Sequence, residues 1–180
     1  MLEIIYRSAT NSLDLVNDLL QMQGRPEDLQ KEPVELGAML FHCTDLLRHQ
    51  AEAKEQRISL QVFPVIILSS REKLWRVISN LIANAIKFST KGTTINVNLK
   101  TKATQVIIAV EDQGIGIPES MKDSIFEIFP GSQRLGTAGE PSFGLGLVIC
   151  RQIVEAHRGK IWFESEPGKG TTFYVQLPLK

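Results

Sequence analysis

Apolar residues recur at helical spacing in four stretches of the chain and alternate with polar residues in six others. Recurrence every three to four residues predicts an amphipathic helix, whereas alternation predicts a strand with one buried face. Helices are therefore expected over 2–20, 36–54, the stretch that follows Ser69 or Ser70, and 144–159. Strands are expected within 57–63, 65–70, 93–101, 105–113, 160–166 and 171–179.

The order of these elements favours one fold class. Most neighbouring strands are joined by hairpin-length turns, such as "PGKG" between the last two. We therefore predict an α+β domain, a two-layer α/β sandwich with a mixed, mostly antiparallel sheet covered by helices on one face. An N-terminal helix precedes this domain.

The N-terminal helix has an apolar seam of its own. The seam consists of Leu2, Ile5, Ala9, Leu13, Val16 and Leu20. A seam of this kind packs along another helix. The helix therefore either folds onto its own domain or forms one half of a two-helix hairpin, with Gly24 and Pro26 as hinge residues.

Composition excludes several classes of protein. The 180 residues are 43% hydrophobic and 22% charged, and 20 basic residues balance 20 acidic ones. We therefore expect no binding to nucleic acid or to an anionic membrane. No apolar run reaches the roughly 18 residues that span a bilayer, and the start lacks a signal-peptide pattern, so the chain is expected to be soluble. Cys43 and Cys150 fit neither a metal spacing nor a disulfide framework, which predicts free, buried thiols in a reducing cytoplasm.

One predicted helix carries an unexpected polar row. The stretch "NLIANAIKFS", residues 80–89, has a broad apolar stripe, but Asn80, Asn84 and Lys87 lie three and four positions apart. These three side chains therefore share a second face of the same helix. Amide oxygens suit Mg²⁺, which retains waters and binds phosphate oxygens, while an ammonium one turn further on can pair with phosphate.

Two glycine clusters flank a loop rich in glycine, proline and serine. "DQGIGIP" at 112–118 follows a strand, and "FGLGL" at 143–147 opens a helix. Backbone N–H groups at a helix N-terminus bind anions, so this arrangement suits a nucleoside triphosphate. Asp112 at a strand end can accept a hydrogen bond from an exocyclic amino group and would repel the carbonyl of guanine. No Walker P-loop pattern occurs.

Four motifs together resemble a known family. "NLIANAIKFS", "DQGIGIP", "IFEIF" and "FGLGL" are similar, in order and spacing, to the N, G1, F and G2 boxes of the ATP-binding domain of sensor histidine kinases. This domain belongs to the wider group of gyrase, heat-shock chaperone and MutL ATPases. The resemblance covers residues 34–180 and implies the Bergerat ATP-binding fold. Residues 130–143 correspond to the ATP lid.

The resemblance also implies residue roles. Asp112 would bind adenine, Asn84 would be the main magnesium ligand with Asn80 assisting, and Lys87 would contact phosphate. The remaining nucleotide contacts would be Gly114 and Gly116 beside the base, Gly144 and Gly146 at the phosphates, and Thr172 to adenine through water. Residues 1–24 resemble the second helix of the dimerisation and histidine-phosphotransfer hairpin, which leaves 25–33 as a linker.

Several positions depart from the family pattern. None of His42, His49 and His157 is followed by the acidic residue that marks a phosphoacceptor histidine. Ser142 and Phe143 replace the usual glycine and hydroxyl residue before the second glycine cluster, and Arg134 is the nearest basic lid residue.

The sequence thus predicts the ATP-binding part of a two-component sensor histidine kinase, with ATP and Mg²⁺ as cofactors. We expect the chain to bind Mg-ATP without autophosphorylating. Its expected partners are the phosphoacceptor helix of an intact kinase, a response regulator receiver domain and a second copy through the N-terminal helix. The expected location is the cytoplasm, with a parent protein that could be membrane-anchored. The alternatives are an ATP-sensing scaffold, and a serine-phosphorylating anti-sigma kinase or gyrase-like ATPase of the same fold.

Overall fold

The computed structural model describes residues 30–127, 135–140 and 144–179. The predicted helix over 1–24 lies outside these residues, as do Arg134, Ser142 and Phe143. Predictions that concern those positions, including the dimer through the N-terminal helix, therefore remain predictions.

Seven strands form two sheets in the described part of the chain. The larger sheet has the order β2-β4-β5-β7-β6, in which β2 and β4 are parallel and every other pair is antiparallel. A small antiparallel sheet joins β1 and β3. The strands are β1 Glu32–Glu35, β2 Arg57–Gln61, β3 Ile66–Ser69, β4 Thr94–Lys102, β5 Gln105–Asp112, β6 Lys160–Glu166 and β7 Gly170–Pro178. The predicted mixed, mostly antiparallel sheet is confirmed.

The helices and the sheet enclose one apolar core. Buried residues alternate along the central strands, as in Val106, Ile108 and Val110 of β5, so each strand turns one face towards the helices. The helices are α1 Leu36–Ala53, α2 Arg71–Phe88, α3 Glu119–Lys122 and α4 Gly146–Ala156. Cys43 and Cys150 are buried thiols outside any disulfide, as the sequence predicts, and burial raises the pKa of Cys43 to about 12.

Among the described residues, no helix combines the length and apolarity that crossing a lipid bilayer requires.

Helix α2 is central to the fold. Its apolar face is buried as predicted, and it consists of Leu74, Val77, Ile78, Leu81, Ile82, Ala85 and Ile86. A serine hydroxyl commonly caps a helix N-terminus, but Ser70 occupies the cap position of α2 without a side-chain hydrogen bond. Instead, the Ser70 N–H donates to Nε2 of buried His157 over 3.2 Å. A histidine distant in sequence thus satisfies one of the helix's free N–H groups.

At the C-terminal end of α4, a residue other than glycine takes the left-handed conformation that commonly ends a helix. The left-handed residue is Arg158, with φ of 57°, and the Gly159 N–H then donates to the Val154 carbonyl over 2.9 Å. Glycine is needed at 159 for another reason. A Cβ there would lie 2.3 Å from the carbonyl oxygen of Gln176 on the neighbouring strand β7.

Candidate nucleotide-binding site

Asp112 is the last residue of β5 and faces the helix side of the sheet. Only 7% of the residue is exposed, and Oδ1 accepts hydrogen bonds from the N–H groups of Gly114 (2.8 Å) and Thr171 (3.3 Å). Burial raises the pKa of Asp112 to about 6, although these two N–H groups act in the opposite direction. The carboxylate is therefore ionised at neutral pH, and both bonds from backbone N–H groups go to the same oxygen. The second oxygen, Oδ2, is the one placed to receive a ligand's amino group.

The loop after Asp112 is joined to the C-terminal end of α2. The Ile115 N–H donates to the Phe88 carbonyl over 3.2 Å, and Ser89 and Gly114 form an isolated antiparallel bridge. A Cβ on Gly114 would lie 2.2 Å from that Phe88 oxygen, so only glycine permits this approach. The loop therefore holds Asp112 beside the helix that carries the polar row.

Asn80 and Asn84 lie on successive turns of α2 and are joined to each other. Nδ2 of Asn84 donates to Oδ1 of Asn80 over 2.9 Å, which leaves Oδ1 of Asn84 outside this bond. Gly146, the first residue of α4, packs directly on the Asn80 amide, because a Cβ at this position would lie 2.3 Å from Nδ2. Both asparagines are half-buried. Mg²⁺ is typically held by one or two protein oxygens together with phosphates and waters, so this donor set fits that ion.

Lys87 lies one turn after Asn84, near the end of the same helix. Burial lowers the pKa of Lys87, and the carboxylate of Glu140 opposes this shift. Its Nζ lies 5.4 Å from the centre of the Phe88 ring. The structure thus places an ammonium group and two amide groups along one face of α2.

The backbone itself explains why glycine occupies several of the predicted site positions. Gly116 has φ of 66°, and a Cβ there would lie 2.2 Å from the Glu166 carbonyl oxygen in the turn between β6 and β7. Gly144 has φ of 74° and lies two residues before Gly146, the first residue of α4. Gly114 and Gly116 are therefore required by backbone packing whether or not a base lies beside them.

Thr172 does not face this site, which corrects the sequence-based expectation. It pairs with Glu111 and Glu164 in the sheet and lies on the face opposite Asp112, because side chains alternate along β7. Its neighbour Thr171 pairs with Asp112 and therefore lies on the same face of the sheet as that carboxylate. The Thr171 hydroxyl lies 2.9 Å from the Ser165 hydroxyl, and its N–H bonds to Asp112.

Comparison with known proteins agrees with this geometry. Residues 69–180 match the family described as histidine kinase-, DNA gyrase B-, and HSP90-like ATPase. The chain belongs to this ATPase family. The resemblance recognised in the four sequence motifs is thereby confirmed.

Among relatives of this ATPase chain are two sensor proteins. The chain is 34% identical over 186 residues to the sensor protein kinase WalK of Staphylococcus saprophyticus, an alignment that covers 99% of this chain and 30% of the relative. It is 36% identical over 177 residues to the alginate biosynthesis sensor protein KinB of Pseudomonas aeruginosa, covering 92% of this chain and 28% of KinB. The chain thus spans about 30% of the length of WalK.

A solved structure shares the fold. Full-length ShkA, crystallised in complex with AMPPNP, superposes with a TM-score of 0.80 at 26% identity, over 96% of this chain and 36% of ShkA. The predicted two-layer fold of the ATPase domain is confirmed by this similarity.

Several residues at the site of this ATPase chain carried no signal in the sequence. The backbone N–H of Thr171, on the neighbouring strand β7, bonds to Asp112, and the Thr171 hydroxyl contacts that of Ser165 on β6. Gln56, buried after α1, donates through Nε2 to the carbonyls of Ile86 (3.1 Å) and Ser89 (3.1 Å) at the end of α2. No local pattern could reveal the contacts of Thr171 with Asp112 or of Gln56 with α2, because they join residues at least 30 positions apart in sequence.

A second concave region, of about 350 Å³, lies at the ends of β5, β6 and β7. Its lining includes Glu111, Glu164 and Glu166 as well as Asp112 and Lys169. The carboxylates on the open face of the sheet would repel a triphosphate. The phosphate side of a bound nucleotide is therefore better accommodated along α2, where Lys87 and the asparagine amides lie.

Proposed function

We propose that this chain is the ATP-binding catalytic part of a two-component sensor histidine kinase. One observation carries the proposal: the loop after Asp112 is hydrogen-bonded to the end of α2, the helix on which Asn80, Asn84 and Lys87 form one polar row. These bonds support the proposal because they hold the loop that follows a buried acceptor suited to adenine against the end of the helix whose polar row is suited to magnesium and phosphate.

Each residue would have a defined part in nucleotide binding. Oδ2 of Asp112 would accept a hydrogen bond from the adenine amino group, and the N–H groups of Gly114 and Thr171 would keep that carboxylate in place. Oδ1 of Asn84 would hold Mg²⁺ with help from Asn80. Lys87 would pair with phosphate, and the backbone around Gly144 and Gly146 would face the phosphates from the start of α4.

The proposed reaction transfers the γ-phosphoryl group of ATP to an imidazole nitrogen of a histidine. The bond between the γ-phosphorus and the oxygen bridging to the β-phosphate breaks, a nitrogen–phosphorus bond forms, and ADP leaves. Bound Mg²⁺ would neutralise charge on the phosphates. Positioning by the protein then supplies most of the catalysis, because phosphoryl transfer requires little covalent chemistry from the enzyme.

The acceptor histidine is proposed to lie on a phosphotransfer helix that residues 30–127, 135–140 and 144–179 do not include. His157 is only 4% exposed and uses both ring nitrogens in hydrogen bonds, so it is unsuited to this role. From the phosphohistidine the group would pass to a response regulator receiver domain. Because ATP is a cytoplasmic metabolite, we place this domain in the cytoplasm.

Calorimetric titration of the chain tests the nucleotide site. We expect AMPPNP to bind, to bind more tightly with Mg²⁺ than with EDTA, and to bind more tightly than GMPPNP, because Asp112 repels the guanine carbonyl. Equal affinity for the two nucleotides would contradict the adenine assignment. Absence of binding would contradict the proposed function and favour a scaffold. The same chain incubated with radiolabelled ATP should acquire no acid-labile phosphate.

A further inference from the structure

Lys54 follows α1, yet its ammonium group lies at the C-terminal end of α2. Its Nζ donates to the carbonyl oxygens of Ile86 (2.9 Å) and Lys87 (3.0 Å). The last carbonyls of a helix have no partner within the helix and carry partial negative charge. Lys54 therefore caps the helix that carries the polar row, at the turn that contains Lys87.

The same ammonium also contacts the part of the predicted lid that the structure describes. Nζ of Lys54 lies 2.7 Å from Oγ1 of Thr137 and 3.1 Å from Oε1 of Glu140. An ammonium has three N–H donors, and these four acceptors surround it. One side chain thus joins two segments, the end of α2 and residues 136–140.

Residues 136–140 form a compact turn on α2. The Gly136 N–H donates to the carbonyl oxygen of Glu140 over 2.8 Å. The Ala138 N–H donates to Oε2 of the Glu140 side chain, also over 2.8 Å. The Thr137 N–H donates to the Lys87 carbonyl over 3.0 Å, and the Thr137 hydroxyl donates to the Ser89 carbonyl over 2.6 Å. The turn is therefore tied to the last residues of the helix through both backbone and side chain.

The turn also contacts the Lys87 side chain itself. A Cβ on Gly136 would lie 2.6 Å from Cγ of Lys87 and 2.3 Å from Oε2 of Glu140, so the turn packs against the aliphatic stem of Lys87. Glu140 is close enough for its charge to stabilise the protonated form of Lys87. Burial opposes ionisation of Glu140, but N–H groups within the turn and Lys54 outweigh this effect and lower its pKa.

Shielding from water distinguishes this ion pair from an ordinary surface pair. The side chain of Lys54 is 13% exposed and that of Glu140 is 35% exposed. The nearby pair Lys91–Glu55 is 70% and 67% exposed, at 2.8 Å. Exposed pairs contribute little, whereas removing one partner of a shielded pair leaves the other charge poorly solvated.

We infer that Lys54 is a positioning residue of the nucleotide site: it anchors residues 136–140 on the end of α2 and thereby holds Lys87 in place for phosphate. This inference rests on the proposed function, because Lys54 acts through Lys87. No contact of Lys54 itself with the nucleotide is required.

The test compares Lys54→Met with Lys91→Met, which removes the lysine of the exposed pair. In Lys54→Met we expect the amides of residues 136–140 to exchange hydrogen about tenfold faster, and affinity for AMPPNP to fall about tenfold with little change for AMP, which lacks the outer phosphates. Lys91→Met should change neither quantity. A merely structural role of Lys54 would weaken AMPPNP and AMP equally, and this result would overturn the inference.

Glu140→Gln provides a second test that leaves the helix cap intact. It removes the charged partner of Lys54 at a partly exposed position, so the chain should fold normally, and exchange in 136–140 should accelerate in the same direction. Amide hydrogen exchange in residues 136–140 could stay unchanged in both Lys54→Met and Glu140→Gln while both variants bind nucleotide like the wild type. That result would overturn the proposed anchoring by Lys54 but not the proposed function. A wild-type chain that binds no nucleotide would overturn the proposed function and the positioning role together, while faster exchange in Lys54→Met would still show the anchor.

Discussion

The backbone N–H of Thr171 donates a hydrogen bond to Oδ1 of Asp112 over 3.3 Å, between strands β7 and β5. Thr171 pairs with Asp112 at the end of the antiparallel ladder, so the last pair of the two strands fixes the orientation of the carboxylate. The other oxygen, Oδ2, accepts neither of the two backbone hydrogen bonds. The two following predictions depend on this relationship.

Replacing Asp112 by asparagine should separate stability from binding. The amide oxygen can still accept from Gly114 and Thr171, but the amide nitrogen cannot accept from an adenine amino group. Burial raises the pKa of Asp112 from 3.8 to about 6, so folding favours the protonated carboxyl group. The stability that this protonation contributes is complete below pH 3.8 and is lost as the pH rises through about 6. At pH 7.5 the variant should be more stable by up to about 3 kcal/mol, while affinity for AMPPNP falls at least about tenfold.

Thermal unfolding and calorimetry measure these two effects of Asp112→Asn. Glu111→Gln is the matched control, because Glu111 is the adjacent residue on the opposite face and bonds to Asn96. It should retain nucleotide affinity. Loss of stability together with loss of binding in Asp112→Asn would mean that the carboxylate is structural.

Thr171→Val and Thr172→Val should differ in their effect on nucleotide affinity. Valine at 171 loses the hydroxyl contact with Ser165, on the face of Asp112. Valine at 172 changes only the open face of the sheet, where β-branched residues are tolerated. We expect AMPPNP affinity to fall about tenfold for Thr171→Val and to stay within about twofold for Thr172→Val, as measured by calorimetry. The reverse order would contradict the strand register.

Alanine at two glycines should have different consequences. In Gly114→Ala the new Cβ would meet the Phe88 backbone at 2.2 Å, and backbone cannot move away cheaply, so we expect a loss of about 3 kcal/mol in the free energy of unfolding. In Gly146→Ala the obstacle is the Asn80 amide, a side chain that can rotate. Stability should stay within about 1 kcal/mol of wild type, partly because alanine favours helix.

Rotation of Asn80 in Gly146→Ala would break its bond with Asn84. The gain in AMPPNP affinity on adding Mg²⁺ should therefore decrease, while affinity in EDTA changes less. Chemical denaturation and paired titrations measure both effects. Gly92→Asn is a suitable control, because this turn glycine has no heavy atom near its Cβ position and asparagine tolerates its φ of 80°. An intact magnesium effect in Gly146→Ala would contradict the role assigned to Asn80.

His157 should make stability fall in acid. Burial lowers its pKa below the usual value of 6.5. The Ile153 carbonyl opposes this shift, whereas Lys31 adds to it. A histidine whose pKa is lowered on folding contributes stability above its unfolded pKa, and this contribution is lost as the pH falls below about 6.5. Between pH 7.5 and pH 5.5, the wild type should lose more stability than His157→Gln, which does not titrate.

Urea unfolding at several pH values measures this difference. His49→Gln is the control for loss of a histidine, since the side chain of His49 is 98% exposed. Parallel pH profiles for wild type and His157→Gln would show that the neutral imidazole is not what links Ser70 to α4.

Much of the fold follows from local patterns. The buried faces of α1, α2 and the central strands match the apolar periodicity, because a side chain's direction is fixed by the helical or strand repeat. The four motifs likewise predicted the family and placed Asp112, Asn80, Asn84 and Lys87 on the correct elements. In each case the information lies within about ten neighbouring residues.

Local sequence is enough to specify which elements form, which faces are apolar and which polar residues share one helix. Three contacts depend instead on long-range packing: Thr171 rather than Thr172 faces Asp112, His157 caps α2, and Lys54 reaches Thr137. These contacts join residues 59, 87 and 83 positions apart, respectively. Local periodicity cannot specify them, because strand register and the meeting of helix ends are set by how the whole core packs.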